Sequence, residues 1–307
     1  MAMGVANPPL ALIAGPTASG KSALALALAE RTGGVIVNAD SAQVYRDLPV
    51  LSAAPSSEER RAVDHRLYGF LDGSEPCSAA GWAAGAREEI ARIHADARIP
   101  ILVGGTGLYL RTLLDGIAPV PEIDPEIRGQ VRAASVKENR ARLLELDPEA
   151  ATRLNPADSA RIARALEVVL STGKQLADWQ QRREGGIGGG VELRTLILLP
   201  PREWLYARCD QRFARMIEQG AVEEVERLLA RHLDPELPAM RGIGVREIAS
   251  YLSGELSLEQ AVAAGQQATR RYAKRQYTWF AHQPPEDWPR FHEALDESSM
   301  ERALELL

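Results

Sequence analysis

The chain has very few cysteines: Cys77 and Cys209 are the only two in 307 residues. They have neither the spacing of a metal-binding motif nor the density of a disulfide framework. No apolar run approaches the roughly 20 residues of a membrane-spanning helix. The N-terminus has no basic region followed by an apolar stretch and a cleavage site, so we see no export signal. These absences exclude a disulfide-built scaffold and favour a cytoplasmic protein that has no membrane segment.

The chain also lacks an excess of positive charge. Its 36 Lys and Arg residues are outnumbered by 42 Asp and Glu, which gives a formal net charge of −6. Proteins that coat nucleic acid non-specifically neutralise its phosphates with Lys and Arg, so this class is excluded. A nucleic-acid substrate would have to be held by local basic patches. The length and the 45% hydrophobic content allow a full core and suggest two domains.

A phosphate-loop motif lies near the N-terminus. Residues 15–22 read Gly-Pro-Thr-Ala-Ser-Gly-Lys-Ser, after the apolar run 10–14 and before the helix-forming run 23–30. Strand, glycine loop and helix in this order are the context that the motif requires. Loop N–H groups at a helix N-terminus bind a polyphosphate, the Lys21 ammonium adds charge, and the Ser22 hydroxyl can bind Mg²⁺. The motif indicates a phosphate-loop protein, and alone it favours a nucleotide user.

An aspartate follows the second predicted strand. Residues 35–37 read as a short buried strand, and Asp40 comes directly after it. Ligands of open α/β sheets bind beyond the carboxyl ends of the strands, so we expect Asp40 near the phosphate loop. The pattern fits a catalytic carboxylate and a helix N-cap equally well. A third predicted strand, 99–103, ends in Gly-Gly-Thr-Gly around Thr106, which suits either a ligand contact or a tight turn.

The middle of the chain predicts an inserted domain. Prolines interrupt the chain from residue 119, residues 126–183 read as helices rich in Arg, and a glycine-rich linker follows at 185–190. Strand pattern then resumes at residue 193. We therefore predict an α/β fold with a P-loop NTPase-like core, a parallel sheet flanked by helices, and an inserted all-helical domain. The core spans residues 1–118 and 191–307, and the helical insert spans 119–190.

The helix predicted at 258–281 interleaves basic and aromatic residues. Its basic residues are Arg270, Arg271, Lys274 and Arg275, and its aromatic residues are Tyr272, Tyr277, Trp279 and Phe280. Charge for phosphates and rings for stacked bases are what a single-stranded nucleic acid requires. An ordinary amphipathic helix, with its rings packed inward and its charges in water, would show the same composition.

Three classes of protein explain the loop, the carboxylate and the basic helices. A kinase would transfer the phosphoryl group and use Asp40 to accept a proton or hold Mg²⁺. A transferase would instead use the loop to stabilise a diphosphate leaving group while a carbon–oxygen bond breaks. A nucleotide-switched RNA-binding protein would need Asp40 only as a cap. The charges alone do not separate these classes.

Six motifs in order resemble the bacterial tRNA dimethylallyltransferase family, over roughly residues 9–283. They are residues 15–22, Asp-Ser-Ala-Gln-Val-Tyr at 40–45, Gly-Gly-Thr-Gly-Leu-Tyr at 104–109, Arg-Ala-Leu-Glu at 164–167 with Ser-Thr-Gly-Lys at 171–174, Arg-Gly-Ile-Gly-Val-Arg at 241–246, and Ala-Lys-Arg-Gln-Tyr-Thr-Trp at 273–279. The phosphate loop occurs in many families, whereas the ordered set is specific. A related class that prenylates free adenine nucleotides would need neither the insert nor the basic helix.

The resemblance implies prenyl transfer from dimethylallyl diphosphate to N6 of adenosine 37 in the tRNA anticodon loop. Asp40 would orient the amine and take its proton, Thr17 would contact the oxygen that joins diphosphate to carbon, and Ser22 would bind Mg²⁺. The implied diphosphate-binding residues are Gly15, Pro16, Thr17, Ala18, Ser19, Gly20, Lys21, Ser22, Arg208 and Arg212. The implied tRNA-binding residues are Asp40, Ser41, Ala42, Gln43, Thr106, Arg128, Ala160, Arg161, Arg164, Arg241, Arg246, Lys274, Arg275 and Gln276. We expect a monomer whose partners are the anticodon stem-loop and dimethylallyl diphosphate, with no membrane partner.

The chain departs from the family pattern at three points. The family commonly has Asp-Ile-Gly-Thr-Ala-Lys-Pro after the tyrosine, where residues 49–55 read Pro-Val-Leu-Ser-Ala-Ala-Pro and lack the lysine. Val245 stands where a tyrosine is usual, and Ser22 replaces a more usual threonine but keeps the hydroxyl. None of these departures removes a proposed catalytic group, and the first two change local substrate contacts.

Overall fold

A computed structural model describes residues 7–307 of the chain. Residues 1–6, which belong to the stretch searched for an export signal, lie outside the described residues. The described chain divides into two compact units. The core unit comprises the described residues through Leu114 together with Ile187–Leu307, and the helical unit comprises Asp115–Gly186. The helical unit thus begins at 115 and ends at 186, where the sequence predicted 119 and 190.

Six parallel strands form the sheet of the core unit, in the order β3-β2-β4-β1-β5-β6. The strands are β1 (Pro9–Ala14), β2 (Val35–Asn38), β3 (His65–Arg66), β4 (Pro100–Gly104), β5 (Glu192–Leu198) and β6 (Arg290–Phe291). The central strand β1 pairs with β4 in the register Ile13↔Val103 and with β5 in the register Ile13↔Leu196. The carboxyl ends of β1, β2 and β4 therefore lie side by side.

Helices cover both faces of this sheet. They are α1 (Lys21–Thr32), α2 (Ser57–Ala62), α3 (Ala79–Ala95), α4 (Gly107–Asp115), α10 (Arg202–Glu218), α11 (Ala221–Leu229), α12 (Val245–Leu252), α13 (Leu258–His282) and α14 (Glu297–Leu304). Alternate residues of β1 point to opposite faces. Leu12 joins the core cluster that contains Trp82 of α3, and Ile13 joins the cluster that contains Leu24 of α1. The predicted α/β architecture is confirmed.

The helical unit contains α5 (Pro125–Ala133), α6 (Val136–Leu146), α7 (Pro148–Arg153), α8 (Ser159–Thr172) and α9 (Leu176–Gln180). The side chains of Asp124, Ser135, Asp147 and Asp158 accept hydrogen bonds from the first-turn N–H groups of α5 to α8. Each cap satisfies a donor that the helix itself leaves unpaired. Val131, Leu143, Ile162 and Leu166 are fully buried and form the core of the unit.

Two stretches of the sequence differ in the structure from what their residues suggest. The apolar run 67–71 has the composition of a short strand, but β3 lies at His65–Arg66 and Leu71 makes only an isolated bridge with Tyr45. Residues 202–231 have one long amphipathic pattern, but they form two helices, α10 and α11, because Gly220, with φ of 96°, takes the left-handed conformation that favours glycine. Over the part of the chain that is described, no helix combines the length and the apolar character that crossing a membrane requires.

Candidate active site

A cavity of about 310 Å³ opens at the carboxyl ends of the strands, within the core unit. Seven of the predicted site residues line it: Thr17, Asp40, Ser41, Ala42, Arg212, Arg241 and Arg275. These residues come from the phosphate loop, the segment after β2, α10, the turn before α12, and α13. The fold therefore assembles residues that are far apart in the sequence.

The phosphate loop runs from β1 into α1. Gly15 has φ of 150°, and a Cβ at this position would lie 2.5 Å from the carbonyl oxygen of Leu198, so the close approach to β5 requires glycine. The Lys21 Nζ donates a hydrogen bond to the carbonyl oxygen of Pro16 at 2.6 Å. The first N–H groups of α1 have no partner within the helix, which leaves them available to an anion.

The phosphate loop is also covered by the C-terminal segment. A Cβ at Gly20 would lie 2.8 Å from Cδ2 of Leu295, which shows how closely that leucine packs. Ser19 is buried, and its hydroxyl has no hydrogen-bond partner within the described chain. A buried, unpaired donor in a phosphate loop fits the role of binding a phosphate oxygen.

Lys21 carries a destabilised charge. Burial lowers its pKa to about 8, while the nearby Asp40 carboxylate acts in the opposite direction and the Arg212 guanidinium adds to the lowering. An ammonium that is removed from water and lies near a second cation favours an anionic ligand. Within the protein, the Asp40 carboxylate supplies part of the negative charge that Lys21 requires, and a bound anion would supply the rest.

Two arginines of α10 lie one turn apart beside the loop. Arg208 Nε donates to the carbonyl oxygen of Ala18 at 3.2 Å, and its guanidinium lies 4.7 Å from the centre of the Trp204 ring. Arg212 Nη2 donates to the carbonyl oxygen of Ser52 at 3.3 Å. Burial lowers the pKa of both guanidinium groups. Both guanidinium groups lie beside the phosphate loop, and their role in binding a diphosphate stays a prediction.

Asp40 is not the helix N-cap that the sequence allowed, and its catalytic role stays a prediction. Its Oδ1 accepts a hydrogen bond from the N–H of Ala42 at 2.9 Å, and its own N–H donates to Oδ1 of Asn38 at 2.8 Å. The segment after Asp40 is a turn, and no helix begins there. Asp40 is thus held as a turn cap, and the same carboxylate lines the cavity.

Ser41 and Thr106 meet across 65 residues of sequence. The Ser41 N–H donates to Thr106 Oγ1 at 2.9 Å, and the Thr106 hydroxyl donates to Ser41 Oγ at 3.2 Å. Thr106 therefore supports the Asp40 segment from β4. Gln43 corrects the prediction: its Nε2 donates to the carbonyl oxygens of Ser52 and Ala53, at 3.1 and 2.8 Å. Both amide hydrogens are used within the protein, so Gln43 braces the cavity wall.

Gln276 is also corrected by the structure. It was expected to contact RNA, but it is buried, and its Oε1 accepts a hydrogen bond from the Thr17 N–H at 2.7 Å. Its Nε2 donates to the carbonyl oxygen of Gly105 at 2.9 Å. A Cβ at Gly105 would lie 2.3 Å from that Nε2, so glycine is required there by contact with the protein itself. Gln276 joins α13 to the phosphate loop.

The aromatic residues of α13 mostly pack inward. Phe280 is fully buried, Trp279 packs against it edge to face, and the Tyr277 ring lies 4.8 Å from the Arg202 guanidinium. Tyr272 alone lines the cavity, with the Arg275 guanidinium 5.5 Å from its ring centre. The expected stacking platform is therefore reduced to Tyr272, whereas Lys274 and Arg275 remain exposed.

Arg241 and Arg246 flank the start of α12, and both are exposed. Arg241 lines the cavity and contacts Glu236 at 3.4 Å. Val245, which stands in the place of the family's tyrosine, is 1% exposed. It packs in the core, so it supplies no contact to RNA in place of that aromatic ring.

The other predicted RNA contacts lie in the helical unit. Arg128, Ala160 and Arg161 are exposed, and Arg161 pairs with Asp158 at 3.5 Å. Arg164 is half-buried, and burial lowers the pKa of its guanidinium. The role of these residues in binding RNA stays a prediction.

The protein offers Mg²⁺ a single proposed ligand. Ser22 is exposed in the first turn of α1, beside the phosphate loop. Among residues 7–307, no group of three or more His, Cys, Asp or Glu side chains could hold a metal ion. Mg²⁺ is commonly held by one or two protein oxygens together with substrate phosphates and water. The donor set therefore fits a Mg²⁺ that arrives with a diphosphate.

Part of the cavity wall was missed by the sequence analysis. Leu48, Leu51, Ser52 and Met216 line the cavity, and none of them was among the predicted site residues. The departure from the family pattern at 49–55 was the one signal in the sequence that this stretch contacts the substrate. The apolar part of the cavity is the feature that local patterns did not reveal.

Comparisons with known proteins show the family of this chain. The family model described as IPP transferase matches residues 43–283, and one described as isopentenyl transferase matches residues 8–72. A tRNA dimethylallyltransferase of Erythrobacter litoralis is 64% identical over 289 residues, which cover 92% of this chain and 91% of the relative. One of Sphingopyxis alaskensis is 62% identical over 93% of this chain and 94% of the relative.

Solved structures show the same fold. The tRNA isopentenylpyrophosphate transferase of Bacillus halodurans is 31% identical, with a TM-score of 0.70 over 97% of this chain and 94% of that chain. A eukaryotic dimethylallyltransferase, captured in crystallographic snapshots acting on tRNA, is 29% identical. Its TM-score is 0.77 over 89% of this chain and 69% of that chain.

Proposed function

The chain belongs to the IPP transferase family, whose relatives are tRNA dimethylallyltransferases, and from this premise we propose that it transfers a dimethylallyl group from dimethylallyl diphosphate to N6 of adenosine 37 in the anticodon loop of tRNA. It is a prenyl-transferring enzyme with a P-loop NTPase-like core.

One observation carries the proposal: a single cavity combines a phosphate loop, a carboxylate and an apolar wall. Thr17 lies in the loop, Asp40 supplies the carboxylate, and Leu48, Leu51 and Met216 supply apolar surface. A small-metabolite kinase requires the first two features but has no need of the third. A prenyl diphosphate requires all three, because its charged head and its hydrocarbon tail must be bound together.

Asp40 and Thr17 act on opposite sides of the reacting carbon. The N6 lone pair forms the new N–C bond as the C–O bond to diphosphate breaks, and that bonding pair stays on the bridging oxygen. Asp40 orients the exocyclic amine and takes its proton as the N–C bond forms. The Thr17 hydroxyl donates to the bridging oxygen, where negative charge develops.

Cations of the phosphate loop and of α10 neutralise the negative charge on the other oxygens of the diphosphate leaving group. Lys21, Arg208 and Arg212 bind the non-bridging oxygens, and their lowered pKa values show that they are poorly solvated without an anion. Ser22 would hold Mg²⁺, which would supply further charge neutralisation on the diphosphate. Removing these groups from water strengthens each contact.

The adenine must leave its stack to reach the cavity. Flipping a base costs a few kcal/mol and is cheapest in a single-stranded loop. Arg241 and Arg275 line the cavity, and Lys274 is exposed beside Arg275. They support binding of the anticodon stem-loop backbone around the flipped base. Ser41 and Thr106, hydrogen-bonded to each other, support the edge of the base beside Asp40.

The proposal is tested with unmodified anticodon stem-loop, labelled dimethylallyl diphosphate and Mg²⁺. Label on N6 of adenosine 37 is the expected result. Label on free AMP or ATP at a comparable rate would instead support a nucleotide prenyltransferase. Transfer of phosphate from ATP without prenylation would contradict the proposal.

The basic face of α13 gives a prediction for RNA binding. The double variant Lys274→Ala/Arg275→Ala removes two exposed cations, so the affinity for the stem-loop falls and the slope of log K against log salt decreases by about 1 to 2. Affinity for inorganic diphosphate stays unchanged. Fluorescence anisotropy at several salt concentrations measures the slope. Arg92→Ala on α3 removes another exposed cation as a control, and an equal loss there would contradict a specific role for α13.

The lowered pKa of Lys21 predicts a pH dependence of diphosphate binding. Free Lys21 loses its proton above about pH 8, whereas a bound anion holds the proton, so binding takes up a proton above that pH. Affinity for inorganic diphosphate therefore falls by up to about tenfold per pH unit as pH rises from 8 towards the pKa of the complex. Isothermal titration calorimetry between pH 7 and 9.5 follows the change.

The variant Lys21→Arg is the matched control for this pH dependence. Its guanidinium stays charged across the range, while the protonation of diphosphate itself is the same in both titrations. The wild-type affinity should fall more steeply than that of the variant. Parallel slopes would show that Lys21 does not release a proton near pH 8.

A further inference from the structure

We propose that the Ser52 hydroxyl is a further substrate-binding group, which donates a hydrogen bond to a non-bridging oxygen of the bound diphosphate. The inference rests on the proposed function and adds a residue from outside the phosphate loop and α10. It assigns a role to a position within the stretch 49–55, where the chain departs from its family and has serine in place of the usual threonine.

The Ser52 side chain is buried without a partner. It is 8% exposed and lines the cavity, and its Oγ makes no hydrogen bond to any of the residues that the structure describes. Buried polar groups in folded proteins are almost always hydrogen-bonded to protein, water or ligand. A hydroxyl left unpaired at the wall of a substrate cavity therefore indicates a group that the ligand satisfies.

The surroundings of Ser52 indicate which part of the ligand this is. The Ser52 carbonyl oxygen accepts a hydrogen bond from Arg212 Nη2 at 3.3 Å, so the residue lies directly against that guanidinium. Arg212 in turn lies close enough to Lys21 to lower its pKa. Ala53, the next residue, lines a small cavity of about 40 Å³ together with Ser22. Ser52 is thus surrounded by the groups expected around the diphosphate.

The backbone at Ser52 is held in place before any ligand binds. Its N–H donates to the carbonyl oxygen of Leu48 at 3.1 Å, and its carbonyl oxygen accepts from Gln43 Nε2 at 3.1 Å. The preceding N–H groups of Val50 and Leu51 both donate to the Glu224 carboxylate, at 2.7 and 2.9 Å. Glu224 is 1% exposed. This rigid support makes the hydroxyl a preorganised donor.

The other parts of the substrates fit this hydroxyl less well. The dimethylallyl tail has no hydrogen-bonding atom, and the ring nitrogens of adenine are uncharged acceptors. A non-bridging phosphate oxygen carries negative charge and accepts several donors, and hydrogen bonds to charged groups are the stronger class. The diphosphate is therefore the acceptor that fits Ser52.

The test compares Ser52→Ala and Ser52→Thr in the full-length enzyme. Ser52→Ala removes the donor, so the affinity for inorganic diphosphate with Mg²⁺, measured by calorimetry, falls by roughly tenfold or more. Ser52→Thr keeps the hydroxyl and retains affinity close to wild type. Affinity for the anticodon stem-loop is unchanged in both. The melting temperature of Ser52→Ala stays the same or rises, because an unpaired buried hydroxyl has been removed.

Ser171→Ala is the matched control, because Ser171 Oγ is also buried and unpartnered but lies in the helical unit. It should bind diphosphate as the wild type does. Three results overturn the inference. The first is a diphosphate affinity of Ser52→Ala within about twofold of wild type, and the second is a loss of affinity for the stem-loop alone. The third is a fall in melting temperature in both Ser52→Ala and Ser52→Thr. Wild-type enzyme that neither binds diphosphate nor transfers the prenyl group would contradict the proposed function itself.

Discussion

Replacing Asp40 with asparagine or alanine is expected to lower the single-turnover rate of prenyl transfer by about 10²–10⁴-fold, the usual contribution of a general acid–base group. The reason is that neither side chain can accept the N6 proton. Affinity for inorganic diphosphate should be retained or rise, because the loop, Lys21 and Arg212 remain while a nearby negative charge is removed. Rapid-quench experiments with saturating stem-loop and labelled dimethylallyl diphosphate measure the rate.

The pair of variants separates the two roles of Asp40. Asparagine still accepts the N–H of Ala42 through its Oδ1, so the turn that the structure shows is preserved. Alanine loses that hydrogen bond. If Asp40 were only a cap, the asparagine variant would turn over like the wild type and only the alanine variant would be impaired. Asp96→Asn, an exposed change at the end of α3, controls for the loss of one negative charge.

Replacing Thr17 with valine is expected to lower the same rate by about 10²–10³-fold, the effect of removing one donor to a developing negative charge. Valine is close to threonine in shape but has no hydroxyl to donate to the bridging oxygen. The Thr17 N–H is held by the Gln276 amide at 2.7 Å, and this backbone contact is retained in the variant. The loop should therefore keep its conformation.

Thr17→Ser is the control for this change, since it keeps the hydroxyl and removes only a methyl group. Its rate should remain within about tenfold of wild type, allowing for lost packing. Diphosphate, the product, carries its charge on oxygens that the loop N–H groups and the cations also bind. Its affinity should therefore differ little between the two variants. Equal rates for valine and serine would falsify the role of the Thr17 hydroxyl.

Local patterns predicted the core fold well because they report short-range physics. The buried run 10–14, the glycine loop and the helix-forming run after it each carry their own signal, and together they give β1, the phosphate loop and α1. The prolines before residue 126 and the glycines after 184 likewise marked the helical unit. Parallel pairing then brings Asp40 and Thr106 to one edge of the sheet.

The contacts that complete the site come from far along the chain. Gln276 meets Thr17 across 259 residues, and Glu224 meets Val50 across 174. The family resemblance assigned Gln276 to RNA, and nothing in its local sequence identifies Thr17 and Gly105 as the partners of its amide. Long-range partners of this kind are set by tertiary packing. The residue pattern of a single helix or strand does not predict them.

The aromatic residues of α13 show how an ambiguous pattern was resolved. Residues 265, 269, 273, 276 and 280 are buried, with the spacing of one helix face, and the exposed basic residues 271, 274 and 275 lie on another. That spacing was readable in the sequence and places Phe280 in the core. The composition of α13 alone suggested that its aromatic rings stack on RNA bases. The periodicity of its buried residues indicates that most of these rings pack in the core instead.

The path of the chain between the two units has a consequence for the gene. The Ile187 N–H donates to the carbonyl oxygen of Leu113 at 3.0 Å, so the chain returns to the core unit beside the point at which it left. The six strands and every residue lining the cavity are encoded outside codons 115–186. Those codons therefore form one contiguous insertion that contributes no strand to the sheet and no residue to the lining of the cavity.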